Sequence, residues 1–434
     1  MVNHRYLFAY TSPALYSMAK NGSEPRVTSE SLKGWIGSLA AAGALFGAIF
    51  AGPMCAKFGR KPSLIFNNVT MLVGWLLIIY SRDVFAILYG RFITGFAAGY
   101  MSGCVPLYVL EICPTSIRGF FGTGFQLLNT VGILLANVYG LFVEWKSMAV
   151  ICTVPCVLMP LCLLFVPESP VYLINKYGES IEAVNALRKM RKSKDISAEL
   201  QDLLNQPRDK QSIILGFDQM KQPNVYKPLL LSLALFFFQQ FSGVTAITFY
   251  QGDIFRKAGT PIDPNVCAVI TCFVQVLITF IGAFFVDKFG RKLLLYISGT
   301  GHFISLGLLS FYFFEKDDPM FAAKYGWLAL FSLSLFIVSF SIGFGPIPWM
   351  MGAEMTPFFA RGFITAISIC FNWSLAFITS LEFDAIQDAL TTGGAYCMFS
   401  IASFLSILFV YFCLPETSGK TAEEMEKHFL KSRT

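Results

Sequence analysis

Seven side chains stand out because they are polar or amphipathic within otherwise apolar runs: Gln126, Gln239, Gln240, Thr245, Gln275, Asn372 and Trp349. Amides and hydroxyls donate and accept hydrogen bonds without net charge, and an indole offers a flat apolar plate. Left unpaired in hydrocarbon such groups are costly, so they must face a cavity or bond to a neighbouring helix. Their chemistry is reversible recognition of an uncharged partner. Bond-making chemistry is not indicated: the only histidines are His4, His302 and His428, and no nucleophile–base constellation or metal motif is present. We therefore expect no enzyme activity, cofactor or metal.

The elements that carry these residues follow from composition. Of 434 residues 55% are apolar and only 14% charged, with mean hydropathy +0.59, whereas a soluble domain is about a quarter charged. The chain reads as an all-α polytopic membrane protein. Spanning β-strands would alternate apolar and polar residues, but Leu229 to Phe238 and Phe331 to Phe340 are apolar on all faces. The net charge of +6 comes from cations dispersed among short loops, so no nucleic-acid partner is expected. The eleven cysteines show no repeated CxxC spacing and read as free buried thiols.

Apolar runs place spans at 34–56, 63–80, 85–110, 119–141, 147–166, 229–250, 266–286, 293–314, 327–351, 362–383 and 395–413. Ahead of them Tyr6 to Met18, preceded by His4-Arg5, is too short to cross a bilayer. It reads as the second half of a first span, in a chain with a truncated or alternatively started N-terminus. Placing the polar stretch 167–228 in the cytoplasm puts the larger share of Lys and Arg inside, as the positive-inside rule asks. The same topology puts Asn21, in the sequon Asn21-Gly22-Ser23, outside as a glycosylation candidate.

Three unlike motifs recur in order at nearly one offset: Lys57-Phe58-Gly59-Arg60-Lys61 as Lys288-Phe289-Gly290-Arg291-Lys292, Glu111 and Arg118-Gly119 as Glu354 and Arg361-Gly362, and Pro167-Glu168-Ser169 as Pro415-Glu416-Thr417. The division is an N-terminal helical half at 1–166, a linker with short helices at 167–228, a C-terminal half at 229–413 and a cytoplasmic tail at 414–434. Each repeat falls where a helix meets the cytoplasm. Arg60, Glu111, Arg118 and Glu168 in one half, and Arg291, Glu354, Arg361 and Glu416 in the other, could form a latch that closes in one conformation and opens in another; alternatively the cations merely fix topology. Gly343, Gly345, Pro346 and Pro348 weaken the helix just before Trp349 and mark a hinge. Gly95, Gly99 and Gly103 form a small-residue stripe suited to close helix packing.

Eight motifs in order carry a resemblance: KFGRK at 57–61, GRFITG at 90–95, PLYVLEICPTSIRG at 106–119, PESP at 167–170, FFQQFSGVTAITFY at 237–250, DKFGRK at 287–292, GFGPIPW at 343–349 and PETSGKTAEEME at 415–426. The chain resembles the sugar porter family of the major facilitator superfamily, and within it the insect-type facilitated trehalose branch. The resemblance implies a major facilitator fold: two six-helix halves, the first helix truncated, related by a pseudo-two-fold axis along the membrane normal. It implies a multi-pass plasma-membrane protein with a cytoplasmic C-terminus, acting as a monomer on a small-molecule sugar by alternating access. A sugar's hydroxyls suit the amide and hydroxyl set above, and its C–H face suits Trp349. Gln239 and Gln240 match positions that contact sugar in the family, although two adjacent glutamines cannot share a helix face and one could instead bond helices together; Gln126 matches the family's fifth-span glutamine, and the GFGPIPW string marks Trp349 as an aromatic plate at a gate. Phe249 and Tyr250 occupy outer gate positions, with Pro346 and Pro348 at the second gate.

Departures matter too. Thr245 and Gln275 stand where many hexose porters carry Asn, Ala376 where some carry another Asn, and Ser341 where Glu is common; Ala56 replaces an acidic residue and Val171 an Arg. The pocket is therefore rearranged, trehalose and a hexose both stay open, and the N-terminal latch is expected to be weaker. Proton symporters of the family place Asp after the first-span Tyr, whereas this chain has Thr11 after Tyr10. An intramembrane acid is the usual proton relay, so the expectation is facilitated diffusion with affinity on the order of millimolar, about −4 kcal/mol. The alternatives are a proton-coupled symporter, a non-transporting sugar sensor and an inactive truncated transporter.

Overall fold

A computed structural model describes residues 2–19, 24–113, 118–191, 196–205 and 217–431. The N-terminal helices are α1 (Val2–Ala19), α2 (Glu30–Phe58), α3 (Arg60–Ile79), α4 (Val84–Ile112), α5 (Arg118–Phe142) and α6 (Trp145–Phe165). Short helices α7 (Pro170–Tyr177), α8 (Ile181–Arg191), α9 (Ser197–Asn205) and α10 (Phe217–Met220) follow. The remainder comprises α11 (Pro223–Phe241), α12 (Val244–Ala258), α13 (Pro264–Phe289), α14 (Arg291–Glu315), α15 (Pro319–Tyr325), α16 (Trp327–Ile342), α17 (Ile347–Glu354), α18 (Arg361–Leu381), α19 (Phe383–Phe412) and α20 (Ala422–Lys431). Among the described residues there is no strand, and ten stretches are long and apolar enough to cross a membrane, with α11–α12 and α16–α17 each counting as one.

The pairing of helices repeats between the two parts of the chain. Contacts of α2 with α4, α3 with α4, α3 with α6 and α1 with α5 correspond to those of α13 with α16, α14 with α16, α14 with α19 and α11–α12 with α18. The outward faces carry large apolar side chains such as Leu164, Phe165, Phe303, Phe311 and Phe404. An exposed apolar belt of that extent is what a bilayer covers.

Three helical runs differ from the sequence reading. The run read as 229–250 begins at Pro223 and breaks at Ser242-Gly243, where Gly243 takes φ 78° and a Cβ would run into the Phe399 ring. The run read as 395–413 begins at Phe383, because residues 383–394, polar enough to resemble a loop, continue the helix with a kink at Thr391. The first helix runs from Val2, through His4-Arg5, for 18 residues, or roughly 27 Å at the standard rise, and so is longer than the half-span read from Tyr6 to Met18.

The glycine stripe packs α4 on α2. A Cβ at Gly95 or Gly99 would run into the backbone of Ala40 or Ala44, and one at Gly43 or Gly47 into the backbone of Phe92 or Phe96. Two helices at backbone contact form a stiff unit. Gly103 is looser: a Cβ there would meet only Ala51 Cβ, at 3.2 Å.

In the linker, α7 starts on Pro170 with Ser169 Oγ accepting from Tyr172 N at 3.2 Å, a capped N-terminus. Tyr172, Leu173 and Ile174 pack with Ala183 and Ala186, and Arg191 bonds the carbonyl of Ile112 at 2.8 Å, docking α8 on the end of α4. The side of the bundle carrying these helices and α20 is called the linker face below, the opposite side the far face.

Candidate functional site

The break between α11 and α12 creates the site. Ser242 turns its hydroxyl back to Gln239 O at 2.7 Å, and the left-handed Gly243 restarts the helix. This leaves Gln240 pointing across to α18, where its Nε2 donates to Asn372 Oδ1 at 2.8 Å, while Thr245 Oγ1 donates to Gln240 Oε1 at 2.6 Å. Thr245, Gln240 and Asn372 thus form one neutral hydrogen-bonded chain. Gln240 and Asn372 are buried, and Thr245 is half-buried.

Gln239 is turned the other way. Its Nε2 donates to the carbonyls of Phe344 (2.5 Å) and Gly345 (3.4 Å). Those carbonyls lie in the gap between α16 and α17, where the helix ladder is interrupted by Gly343, Gly345 and Pro346. Ser298 Oγ meanwhile accepts from Phe344 N at 3.0 Å. The two glutamines divide as neighbouring positions about 100° apart on a helix require: Gln239 satisfies a broken backbone, Gln240 joins a side-chain network.

Gln126 is half-buried on α5 and Gln275 buried on α13, neither bonded to that network. Trp349, half-buried on α17, sets its ring edge-on to Phe236 at 5.1 Å. Phe249 and Tyr250 lie on α12, both buried; Tyr250 stacks on Phe383 at 5.4 Å and donates to Ser380 O at 3.3 Å. Pro346 and Pro348 frame the start of α17.

Two aromatic residues absent from the sequence reading complete this region. Phe8 of α1 lies parallel to Trp373 at 5.0 Å and to Phe249 at 5.7 Å, so three rings from α1, α12 and α18 form a stack joining the two halves. Trp373 Nε1 also reaches Ser102 Oγ of α4 at 3.4 Å. Its neighbour Asn372 was the only signal in the sequence. Towards the far face Gly252 N donates to Ser12 Oγ (3.0 Å), Asn137 Nδ2 to Cys272 Sγ (3.4 Å), and Trp35 meets Phe377 (6.4 Å). All these contacts between halves run from mid-height to the far face.

A further residue missed by the sequence reading is Arg91, fully buried on α4. Its guanidinium donates to Ile36 O (2.9 Å), Leu7 O (2.9 Å) and Thr11 Oγ1 (2.6 Å) and sits over the Tyr10 ring. It ties α1, α2 and α4 together through neutral oxygens. Only its place in GRFITG drew notice to it.

The repeated charged residues assemble twice on the linker face. In one half Arg60 pairs with Glu111 at 2.7 Å, and Glu168 accepts from the backbone N–H of Arg60 (3.1 Å) and Lys61 (3.1 Å). In the other Arg291 pairs with Glu354 at 3.0 Å, and Glu416 accepts from the N–H of Arg291 (3.0 Å) and Lys292 (3.0 Å). Gly59 and Gly290, with φ 98° and 80°, let each carboxylate approach the turn: a Cβ there would collide with Glu168 or crowd Glu416. The N-terminal set closes with Ala56 in place of an acid. Burial raises the Glu416 carboxyl, but hydrogen bonds from the backbone of Ser418, Lys292, Arg291 and Thr417 outweigh it and hold it below the ordinary carboxylate range. Arg361 is half-buried at the start of α18. The Arg118 side chain and Asn21 lie outside the described residues.

Two equivalent helix sets, helices broken at mid-height and a neutral polar network linking α11, α12 and α18 within the C-terminal half define a major facilitator fold. The family described as "Sugar (and other) transporter" matches residues 5–429. The chain belongs to that family and is no enzyme. It is 35% identical over 429 residues to the facilitated trehalose transporter Tret1-2 homolog of Drosophila simulans, covering 98% of this chain and 88% of that one. It is 36% identical over 429 residues to facilitated trehalose transporter Tret1 of Aedes aegypti, covering 97% of this chain but 53% of the relative, so it spans about half that protein's length. Among solved structures, the inward-open xylose transporter XylE from E. coli superposes with TM-score 0.80 at 24% identity, covering 98% of this chain and 97% of that one. The proton:xylose symporter XylE bound to 6-bromo-6-deoxy-D-glucose superposes with TM-score 0.78 at 23% identity, covering 99% and 97%.

Proposed function

We propose that the chain is a facilitative sugar carrier, taking trehalose or a hexose by alternating access of its two halves, in the plasma membrane with the linker face and C-terminus in the cytoplasm. The observation that carries this reading is the Thr245–Gln240–Asn372 network. A sugar hydroxyl both donates and accepts, so it can exchange with an amide–amide bond at little net cost, and a carrier must release what it binds. Trp349 and the break at Pro346 supply the apolar plate and the place where the helix bends. Relatives named as facilitated trehalose transporters support the substrate class.

Closure proceeds by the far-face contacts. The Trp373–Phe8–Phe249 stack and the Ser12–Gly252 bond lock α1 to α12 and α18; releasing them opens the far face. The two charged clusters hold each half rigid while the halves rock. Arg91 bonded to Thr11 supports uncoupled transport, since a hydroxyl there releases no proton near neutral pH.

Uptake of labelled trehalose and of labelled glucose into proteoliposomes, with and without an imposed proton gradient, tests the reading. Saturable uptake of one of them, running down its own gradient and indifferent to the proton gradient, is expected. Concentrative, uncoupler-sensitive uptake would refute uniport, and correctly folded protein taking up neither sugar would refute the carrier reading.

A further inference from the structure

On the linker face a cavity of about 490 Å³ opens between the start of α11, the end of α19 and the tail helix α20. It is lined by the basic side chains of Lys227, Lys420 and His428 and by Leu230, Phe412 and Phe429, with Lys227 Nζ also donating to Phe429 O at 3.4 Å. Leu230 and Phe412 are exposed, and the apolar surface continues from them along α19 through Phe404, Leu405 and Leu408. The one carboxylate lining the cavity, Glu416, is already occupied by four backbone N–H groups.

The tail is built to hold this shape. Thr421 and Glu424 form a reciprocal capping box, Thr421 N donating to Glu424 Oε2 at 2.9 Å and Glu424 N to Thr421 Oγ1 at 3.3 Å. Met425 and Phe429 are buried against the C-terminal half, and Asn224 bonds Glu426 at 2.8 Å. The helix therefore stays docked with Lys420 and His428 at the rim.

We propose that this cavity holds the headgroup of an anionic phospholipid from the leaflet at the linker face, with an acyl chain along the exposed apolar surface of α11 and α19. Ammonium groups present several donors to phosphate oxygens. A basic mouth above an apolar wall at the bilayer boundary matches a molecule that is charged at one end and hydrocarbon at the other. A soluble anion would use the rim and leave the exposed Leu230 and Phe412 unexplained. The proposal is independent of which sugar is carried.

The test is native mass spectrometry of the full chain, purified and re-equilibrated with equal phosphatidylserine and phosphatidylcholine. Preferential retention of phosphatidylserine is expected. Lys227→Gln with Lys420→Gln should cut that preference by roughly twenty-fivefold, at about fivefold per cation near a membrane surface, whereas Lys324→Gln, exposed at the far face, should leave it intact. Lys227→Arg with Lys420→Arg keeps charge and should keep the preference, which separates loss of charge from misfolding. Equal retention of the two lipids by the unaltered chain, an undiminished preference in the Gln variant, or displacement of phosphatidylserine by millimolar inorganic phosphate would each overturn the proposal.

Discussion

Gln240 on α11 and Asn372 on α18 are joined by a single amide–amide hydrogen bond of 2.8 Å, buried at the break where α11 gives way to α12. Thr245 extends it on the Gln240 side. Replacing Gln240 by Ala leaves the Asn372 carbonyl and the Thr245 hydroxyl without their partner, at a cost of about 1–3 kcal/mol per buried polar group. Transport efficiency at equal protein level should then fall by roughly one to two orders of magnitude. Unchanged uptake would remove the network from the site.

Gln239, one residue earlier, should behave differently. Gln239→Leu strips the donor from the Phe344 and Gly345 carbonyls at the α16–α17 gap. The expected outcome is a loss of stability of about 1–3 kcal/mol, read as a lower thermal unfolding midpoint, with a smaller change in apparent substrate affinity than Gln240→Ala produces. A stable variant with abolished binding would contradict the division of roles between the two glutamines.

Helix packing offers a sharper contrast. Gly99→Leu drives a side chain into the Ala44 backbone, where no rotamer change relieves the clash, whereas Gly103→Ala meets only the Ala51 methyl at 3.2 Å. The first should yield little monodisperse protein on size exclusion, and the second near-normal amounts. Equal yields would show that α2 and α4 part more readily than their contact implies.

The depressed Glu416 carboxyl predicts a pH dependence. Because its folded value lies below the ordinary 4.5, its contribution to stability is complete above the unfolded value and is lost as pH falls through the folded one. Glu416→Gln should therefore be less stable than the unaltered chain at neutral pH, with the gap narrowing only below about pH 4.5. A gap that narrows at higher pH would mean that the backbone hydrogen bonds do not stabilise the ionised form.

The helical runs were legible because apolar length is a one-dimensional property, and the charged repeats because identical turns need identical residues. Residues 383–394 escaped because their polarity mimics a loop, while the stretch packs on α14, where Ser310 Oγ donates to Gly393 O at 2.7 Å. The site was legible in part: Thr245, Gln240 and Asn372 are marked by polarity within apolar runs, but nothing along the chain distinguishes Gln239 from Gln240 except that they point apart.

By itself, then, the sequence determined that this is a helical membrane protein of two related halves with neutral polar groups at mid-span and charged turns at helix ends. Those features follow from the solvent each residue must meet. The tertiary structure decided which partner each polar group takes: Gln239 a broken backbone, Gln240 a distant amide, Arg91 three neutral oxygens on two other helices, Phe8 the rings of Trp373 and Phe249. These choices depend on distances between helices far apart in the chain, and hydrogen bonds and ring stacks form only over a few ångströms.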